Sequence, residues 1–372
     1  MTSIKRFALI AGARPNFMKI APIIRAMEVY SDIQVCLIHT GQHYDKNLSD
    51  IFFHELGIRR PDVALGVGSG SHAKQTADVM VALEKLFLEA QEQAKPFTAA
   101  IVVGDVNSTM AAALAASKLH IPVVHVEAGL RSGDKSMPEE INRLVTDTIS
   151  DLLLCSEPAG VENLMAEGHP PENIHLVGNV MIDTLLSEVA RAKQQETLIQ
   201  YGLKPKNYGV VTLHRPGNVD QPETLKPILE VLSRVSEHLP IIFPVHPRTR
   251  ARIEQFGFQE ILNRSTGCQL VDPLGYLDCL CLTSQAKVLV TDSGGLQEES
   301  TALGVPCLTI RPSTERPITC SLGTGTLIGN SAKLLDLKLR EVLSNSYKVG
   351  KCPELWDGRA SVRIAKLLTE RF

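Results

Sequence analysis

Residues Lys287 to Gly304 have the sequence KVLVTDSGGLQEESTALG. A β-branched apolar run ends at Asp292, two glycines follow, and an amphipathic stretch continues to Gly304. This order predicts a strand, a tight turn and a helix that ends at Gly304. The N–H groups and the dipole of such a helix N-terminus favour an anion. The alternative is a plain structural turn with Ser293 as the helix N-cap.

The same alternation of short apolar runs and longer amphipathic stretches occupies the whole chain, which is typical of parallel sheets covered by helices. The helical stretches include 110–120 and 222–239. The predicted strands form two series, FALIAG (7–12), IQVCLI (33–38), AAIVVG (99–104), PVVHVE (122–127), DLLLCS (151–156) and IHLVGN (174–179), then YGVVTL (208–213), PIIFPVH (240–246), KVLVTD (287–292) and PCLTI (306–310).

The two series predict two doubly wound, Rossmann-like α/β domains that face each other across a cleft. The first domain is expected to comprise residues 1–178 and the second residues 179–356. Residues 357–372 are expected to form a C-terminal helix that packs back on the first domain.

Length and composition are consistent with two globular domains: the chain has 372 residues, of which 44% are hydrophobic and 21% charged. The net charge of -3 shows no basic excess, so neither nucleic acid nor an anionic membrane is expected as a partner. No segment approaches the ~20 apolar residues of a membrane-spanning helix, and the N-terminal apolar run is interpreted as the first strand rather than a secretory signal.

The eight cysteines are scattered and include no C-x-x-C pair. This pattern predicts reduced thiols in a cytoplasmic protein, with neither a metal site nor a disulfide framework. No G-x-G-x-x-G motif follows the first strand, so no dinucleotide cofactor is predicted.

Charged and imidazole side chains follow nearly every predicted strand, where ligands bind in open parallel sheets. His214 and His246 each stand next to an arginine, which favours contact with phosphate over a purely structural role. Glu299, one turn into its helix, could accept the two hydroxyls of a ribose. The strand-end residues are Arg14, Lys19, His39, Gln42, His43, Asp105, Glu127, His214, Arg215, His246, Arg248 and Asp292.

Residues Glu127 to Arg143, EAGLRSGDKSMPEEINR, allow two interpretations. In the structural one, Ser136 is the N-cap of a helix, and Glu139 completes a capping box and pairs with Arg143 four residues later. Glu140, on another face, would then be solvated or structural. In the functional one, the same carboxylates form the wall of an active site.

Nine motifs together resemble those of the non-hydrolysing UDP-N-acetylglucosamine 2-epimerases, in the order typical of that family. They extend over essentially the whole chain, and they are specific as a set although each alone is weak. The motifs are GARPNFMK, TGQHYD, GDVNST, HVEAGLRSGD, MPEEINR, TLHRP, PVHPRTR, TDSGGLQEE and ERP.

The resemblance implies a fold of the GT-B glycosyltransferase type and the reversible C2 epimerisation of UDP-N-acetylglucosamine to UDP-N-acetylmannosamine through a glycal, for surface polysaccharide synthesis. It also implies a homodimer without a cofactor. Asp105, Glu127 and Glu139 correspond to the catalytic carboxylates, and which of them removes or returns the proton stays open. His214, the fourth catalytic candidate, corresponds to a histidine near the diphosphate. The expected substrate-binding residues are Arg14, Lys19, Arg143, Arg215, His246, Ser293, Gly294, Gly295, Glu299 and Arg316.

The chain departs from the family pattern in three places. The segment GDKSMPEE is shorter than in many members, and Cys279 stands where relatives often place a phenylalanine against the uracil. Tyr44 and Asp45 follow Gln42 and His43, so activation by the substrate is not expected. Three alternatives remain: a hydrolysing 2-epimerase, a GT-B glycosyltransferase, and a non-catalytic sugar-nucleotide binder. The sugar is N-acetylglucosamine or a modified relative.

Overall fold

The computed structural model describes residues 4–12, 14–41, 57–68, 70–264 and 267–372. The chain divides into two compact units. One consists of Met1–Thr184 together with Glu354–Phe372, and the other of Leu185–Pro353.

The first unit is built on a seven-stranded parallel sheet with the strand order β3-β2-β1-β4-β5-β6-β7. Its strands are nearly continuous apolar runs, as expected for strands that helices cover on both faces. The sheet contains β1 (Lys5–Ala11), β2 (Ile33–His39), β3 (Val63–Ala64), β4 (Ala99–Val103), β5 (Val123–Val126), β6 (Leu152–Cys155) and β7 (Ile174–Leu176).

Helices follow most of these strands and cover the sheet. Five alanines of the helix after β4 are buried, and their small side chains allow this helix to pack closely between the sheet and its neighbouring helix. The helices are α1 (Arg14–Met27), α2 (His72–Glu92), α3 (Asn107–Lys118), α4 (Pro138–Thr148) and α5 (Pro158–Ala166), with a 3₁₀ turn at Pro171–Asn173.

Helix α6 (Val180–Ala192) contains the point at which the two units divide. The expected boundary after residue 178 lies just before this helix. The Thr184 hydroxyl donates a hydrogen bond to the Met18 carbonyl at 2.5 Å, so the first turn of α6 is attached to the first unit and the division falls six residues later.

The second unit has a six-stranded parallel sheet with the order β10-β9-β8-β11-β12-β13. Its strands are β8 (Gly209–Thr212), β9 (Ile241–Pro244), β10 (Cys268–Val271), β11 (Val288–Thr291), β12 (Cys307–Thr309) and β13 (Gly325–Leu327). Its helices are α7 (Thr197–Gln200), α8 (Pro216–Val219), α9 (Pro222–Val235), α10 (Pro247–Gln255), α11 (Gln259–Asn263), α12 (Tyr276–Gln285), α13 (Gly294–Leu303), α14 (Ile318–Ser321) and α15 (Ala332–Leu343).

The prediction of two parallel α/β sheets is confirmed, and all ten predicted strands are present. Strands β3, β10 and β13 were not predicted; each is two to four residues long and lies at the edge of its sheet. Helix α13 ends as expected, because Gly304 has the left-handed φ of 68° that a C-cap glycine favours.

The last helix, α16 (Ala360–Arg371), belongs to the first unit. The Asp183 carboxylate accepts hydrogen bonds from the N–H groups of Ala360 and Ser361 at 3.0 and 2.7 Å, which attaches the N-terminus of α16. The Trp356 indole N–H donates to the Ser156 carbonyl at 3.0 Å. In the described parts of the chain, we find no helix with the length and apolarity required to cross a lipid bilayer.

Candidate active site

Each sheet has one point at which the strand order reverses, and crevices that bind ligands form at such points. In the first unit this point lies between β1 and β4, and in the second between β8 and β11. Most of the residues selected from the sequence follow these four strands or the adjacent β5 and β9.

The first cluster is centred on a buried ion pair. Lys19 Nζ, on α1, lies 2.5 Å from Glu127 Oε2, and both residues are less than 10% exposed. The other oxygen, Glu127 Oε1, is buried and has no hydrogen-bond partner among the residues that the structure describes. Glu127 has a φ of 71°, which is uncommon for a side chain other than glycine and is typical of functional turns.

Gly104 forms the wall behind this pair. Its φ is 73°, and a Cβ atom on it would lie 3.1 Å from Lys19 Nζ and 3.6 Å from Glu127 Oε2. Only glycine therefore allows the ion pair to approach the end of β4 this closely.

A second ion pair lies directly after Gly104. Arg143 Nη2 is 2.6 Å from Asp105 Oδ2, and Arg143 Nη1 is 2.7 Å from Glu140 Oε2. Asp105 is partly exposed, whereas Arg143 and Glu140 are buried. Burial alone would raise the pKa of Glu140, but the N–H groups of Ser132 and Gly133 and the Arg143 guanidinium together lower it.

The capping box expected in this segment is absent, and the expected pairing of Glu139 with Arg143 fails with it. Helix α4 has Met137 as its N-cap, with no side-chain cap, because the Ser136 hydroxyl donates to Asp134 at 2.6 Å instead. Among the described residues, Arg143 pairs with Glu140 rather than Glu139. Glu140 is buried and not solvated, since it satisfies two N–H groups of the preceding loop. Glu139 is half-buried in the first turn of α4.

Some of the predicted residues lie outside the described part of the structure. Arg14 is the first residue of α1, but its side chain is not described. Residues 42–56, which include the Gln-His-Tyr-Asp sequence on which the expectation about activation rests, are not described either.

The cluster of the second unit is organised by Asp292, a fully buried carboxylate at the end of β11. It lies 2.8 Å from His214 Nδ1, and it accepts hydrogen bonds from the N–H groups of His214 and Arg215 at 3.0 and 2.9 Å. Burial alone would raise the pKa of Asp292, but the hydrogen bond and charge of His214 and the Arg215 N–H lower it. Asp292 was noted in the sequence as a strand-end residue but was given no role.

His214 and His246 are neighbours, with their ring centroids 5.8 Å apart. The His246 ring accepts a hydrogen bond from the Arg248 N–H at 3.2 Å and so caps α10. Burial and the neighbouring His214 lower the pKa of His246. The two histidines therefore form one partly exposed imidazole pair at the ends of β8 and β9.

Helix α13 begins at Gly294, next to the buried guanidinium of Arg316. A Cβ atom on Gly294 would lie 3.2 Å from Arg316 Nη1, and Arg316 Nε lies 2.6 Å from Glu298 Oε1. Ser293 occupies the N-cap position but makes no side-chain cap bond, and Ser293, Gly294 and Gly295 are all half-exposed. A cation and a helix N-terminus thus lie together, an arrangement that suits an anion.

Glu299 lies one turn further along α13 and is buried. Burial and the neighbouring Glu298 raise its pKa to about 8. The buried hydroxyl of Tyr276 has no hydrogen-bond partner within the described ranges, and Cys279 lies in the same helix, α12. Burial and the nearby Glu299 raise the pKa of the Cys279 thiol to about 12.

The residues that hold the predicted site residues in place were not predicted from the sequence. They are Glu298, which pairs with Arg316, and the buried pair His125–Asp147. Glu298 and Asp147 lie inside helices, where no sequence pattern distinguishes them from other polar residues. No three metal-ligating side chains are grouped in the described parts of the chain.

Two doubly wound sheets with charged groups at their switch points define a GT-B-type α/β enzyme. A family model of UDP-N-acetylglucosamine 2-epimerases matches residues 25–369. The Methanocaldococcus jannaschii UDP-N-acetylglucosamine 2-epimerase is 39% identical over 369 residues, 98% of this chain and 99% of the relative. The Pseudomonas aeruginosa UDP-2,3-diacetamido-2,3-dideoxy-D-glucuronate 2-epimerase is 37% identical, covering 97% of this chain and 98% of that relative.

Solved structures agree with this assignment. The crystal structure of the M. jannaschii enzyme in complex with UDP-GlcNAc and UDP matches with a TM-score of 0.86 at 38% identity, over 98% of this chain and 99% of that one. The Neisseria meningitidis UDP-GlcNAc 2-epimerase bound to UDP-GlcNAc also has a TM-score of 0.86, at 25% identity over 98% of this chain and 100% of that one. The chain belongs to the UDP-N-acetylglucosamine 2-epimerase family and is an epimerase.

Proposed function

We propose that this protein interconverts UDP-N-acetylglucosamine and UDP-N-acetylmannosamine by eliminating UDP and adding it back. Two relatives of similar identity, whose names state different UDP sugars, share the inversion of C2, so C2 epimerisation of a UDP-linked acetamido sugar is the common activity. The M. jannaschii relative at 39% identity and the complex of that enzyme with UDP-GlcNAc favour UDP-N-acetylglucosamine as the substrate.

The proposed chemistry explains the need for carboxylates. The proton on C2 of the sugar is not acidic, but it can be removed while the C1–O bond to UDP breaks and UDP leaves with the bonding electrons. The product is a neutral glycal. A UDP oxygen then bonds to C1 again while a proton is delivered to C2 from the opposite face. This requires acid–base groups on both faces and cations for the departing diphosphate.

Glu127 carries the proposal. Lys19 holds one of its carboxylate oxygens, which fixes the side chain, while the buried Oε1 has no hydrogen-bond partner among the described residues. A carboxylate held in this way can exchange a proton through its second oxygen. Asp105, held by Arg143, is the second acid–base candidate. Glu139 is the third, and it is supported by the family resemblance alone.

The second unit is proposed to hold the nucleotide. The N-terminus of α13 with Arg316 suits the diphosphate, and the His214–His246 pair adds imidazoles able to donate hydrogen bonds to it. Arg14 and Arg215 are proposed to contribute further cations. Glu299 is proposed to accept the ribose hydroxyls.

The family resemblance also supports a cytoplasmic homodimer that supplies a surface polysaccharide pathway. Light scattering coupled to size-exclusion chromatography gives the molar mass, and a mass of one chain would contradict the dimer. Cell fractionation tests the location.

Incubation in D2O tests the activity. With UDP-N-acetylglucosamine, the proposed reaction returns both epimeric UDP sugars with deuterium at C2, detected by proton NMR. Release of free sugar and UDP would indicate hydrolysis instead, and turnover only with an acceptor would indicate a transferase. A parallel reaction with the diacetamido-glucuronate sugar compares the two substrates. Unlabelled sugar in both reactions would contradict epimerisation.

Two variants test the residues. Asp105→Asn and Glu127→Gln should lower turnover by at least about 100-fold while UDP affinity stays near the wild-type value, because each loses a proton-transfer group and neither residue is among the proposed nucleotide contacts. Glu162→Gln, an exposed carboxylate of the first unit, is the control and should keep full activity. Wild-type turnover in Asp105→Asn or Glu127→Gln removes that residue from the mechanism.

A further inference from the structure

A fully buried ion pair lies behind the carboxylates of the first unit. His125, on β5, and Asp147, on α4, are both 0% exposed, and His125 Nδ1 lies 2.6 Å from Asp147 Oδ1. The other ring nitrogen, Nε2, lies 2.9 Å from the Gly104 carbonyl oxygen. A carbonyl only accepts, so Nε2 carries a proton.

Two further charged side chains extend the pair. Asp147 Oδ2 also lies 2.7 Å from Arg131 Nη1, and Arg131 in turn pairs with Glu167 at 2.6 Å. Burial alone would raise the pKa of Asp147, but His125 and Arg131 together hold it below its ordinary value. His125 thus begins a chain of four contacting side chains that continues through Asp147 and Arg131 to Glu167.

The pair contacts the backbone on both sides of the candidate site. The His125 ring donates to the carbonyl of Gly104, whose Cα lies against the Lys19–Glu127 ion pair and which directly precedes Asp105. The Asp147 carboxylate accepts the Gly129 N–H at 3.1 Å, two residues after Glu127. One buried pair therefore holds the two turns that carry Asp105 and Glu127.

We propose that His125 and Asp147 form a positioning pair for the epimerisation, fixing the backbone of both acid–base carboxylates without touching the sugar. This inference rests on the proposed function. A buried ion pair adds little stability compared with apolar packing of similar volume. A gain in stability therefore does not account for a pair that joins these two turns. A displacement of about 1 Å at a reacting group lowers turnover by about 100-fold, so such a pair controls the rate through geometry.

Three variants separate positioning from stability. Asp147→Asn and His125→Leu should lower kcat by about 10- to 100-fold with UDP affinity within about twofold of wild type. His125→Gln keeps a donor and should recover part of the loss. The matched control is Asp183→Asn, the same change at another buried carboxylate of this unit that accepts two backbone N–H groups. It should lower thermal stability and leave kcat unchanged.

Each result has a defined meaning. Wild-type kcat in Asp147→Asn or His125→Leu overturns the positioning role, and so does an equal loss of kcat in Asp183→Asn. Lack of deuterium incorporation by the wild-type enzyme refutes the proposed function instead. Nitrogen-15 NMR of the histidine-labelled wild-type protein needs no folded variant. A proton on Nε2 of His125 supports the hydrogen bond to the Gly104 carbonyl, and an Nε2 without a proton overturns that contact.

Discussion

Gly104→Ala is the substitution for which the structure gives the sharpest expectation. Gly104 has a φ of 73°, and the added methyl carbon would lie 3.1 Å from Lys19 Nζ and 3.6 Å from Glu127 Oε2. A contact of 3.1 Å is tighter than most real contacts of a Cβ atom, so the lysine must move away by a few tenths of an ångström. Because Lys19 Nζ and Glu127 Oε2 are only 2.5 Å apart, the glutamate is displaced with it.

Two separate effects follow from this substitution. Alanine in the left-handed region costs about 1–2 kcal/mol of stability wherever it occurs. The displaced ion pair should lower kcat about tenfold, since a shift of about 1 Å is worth about 100-fold and this shift is smaller. UDP affinity should stay near the wild-type value, because neither Lys19 nor Glu127 is among the nucleotide contacts proposed above.

Gly168→Ala is the matched control. Gly168 also has a positive φ, 88°, it is in the same unit, and an added Cβ meets nothing within 4 Å. Chemical denaturation should show a similar loss of stability in both variants, while the rate of deuterium incorporation at C2 falls only in Gly104→Ala. Equal kcat values in the two variants would refute the packing argument.

Three further results are expected. Burial and a neighbouring glutamate raise the pKa of Glu299 to about 8, so its contribution to stability is present below pH 4.5 and is lost as the pH rises through 8. Thermal melts should show the free energy of unfolding decline by on the order of 5 kcal/mol, and Glu299→Gln should lack this decline. Burial alone would raise the pKa of Glu315, but Arg311 and Arg316 lower it to about 2. The free energy of unfolding should therefore fall by about 3 kcal/mol as the pH falls from 4.5 to 2, and Glu315→Gln should not show this loss. Asp183→Ala should cost about 1–2 kcal/mol and speed amide exchange at the start of α16, and unchanged exchange would contradict its capping role.

The interior of both sheets could be predicted from the sequence because strands buried on both faces must be apolar along their whole length. Edge strands carry no such requirement. Strand β3 consists only of Val63–Ala64, and β10 includes Gln269 with all four residues half-buried. Their pairing is decided by the neighbouring strands, which local composition does not record.

The site residues that directly follow a strand could be predicted from the sequence. The site contacts that depend on which face of a helix carries a side chain could not. Asp105 and Glu127 are adjacent to strand ends, so the topology alone brings them to one edge of the sheet. The pairing of Arg143 was wrong because four-residue spacing favours Glu139, whereas the loop before α4 needs an acceptor for two N–H groups and Glu140 supplies it. That need appears only when the loop is folded.

The charged clusters of the two units do not determine which UDP sugar is preferred. Relatives at 39% and 37% identity carry the names of epimerases for two different UDP sugars, which share UDP and the C2 centre and differ at C3 and C6. The two ion pairs of the first unit and the α13 cluster of the second are proposed to act on the shared parts. Discrimination between the two sugars must therefore come from other side chains. The short segment between Arg131 and Pro138 is the first segment to exchange between the two kinds of enzyme. The measurement is the ratio of kcat/KM for the two sugars. An unchanged ratio would exclude this segment.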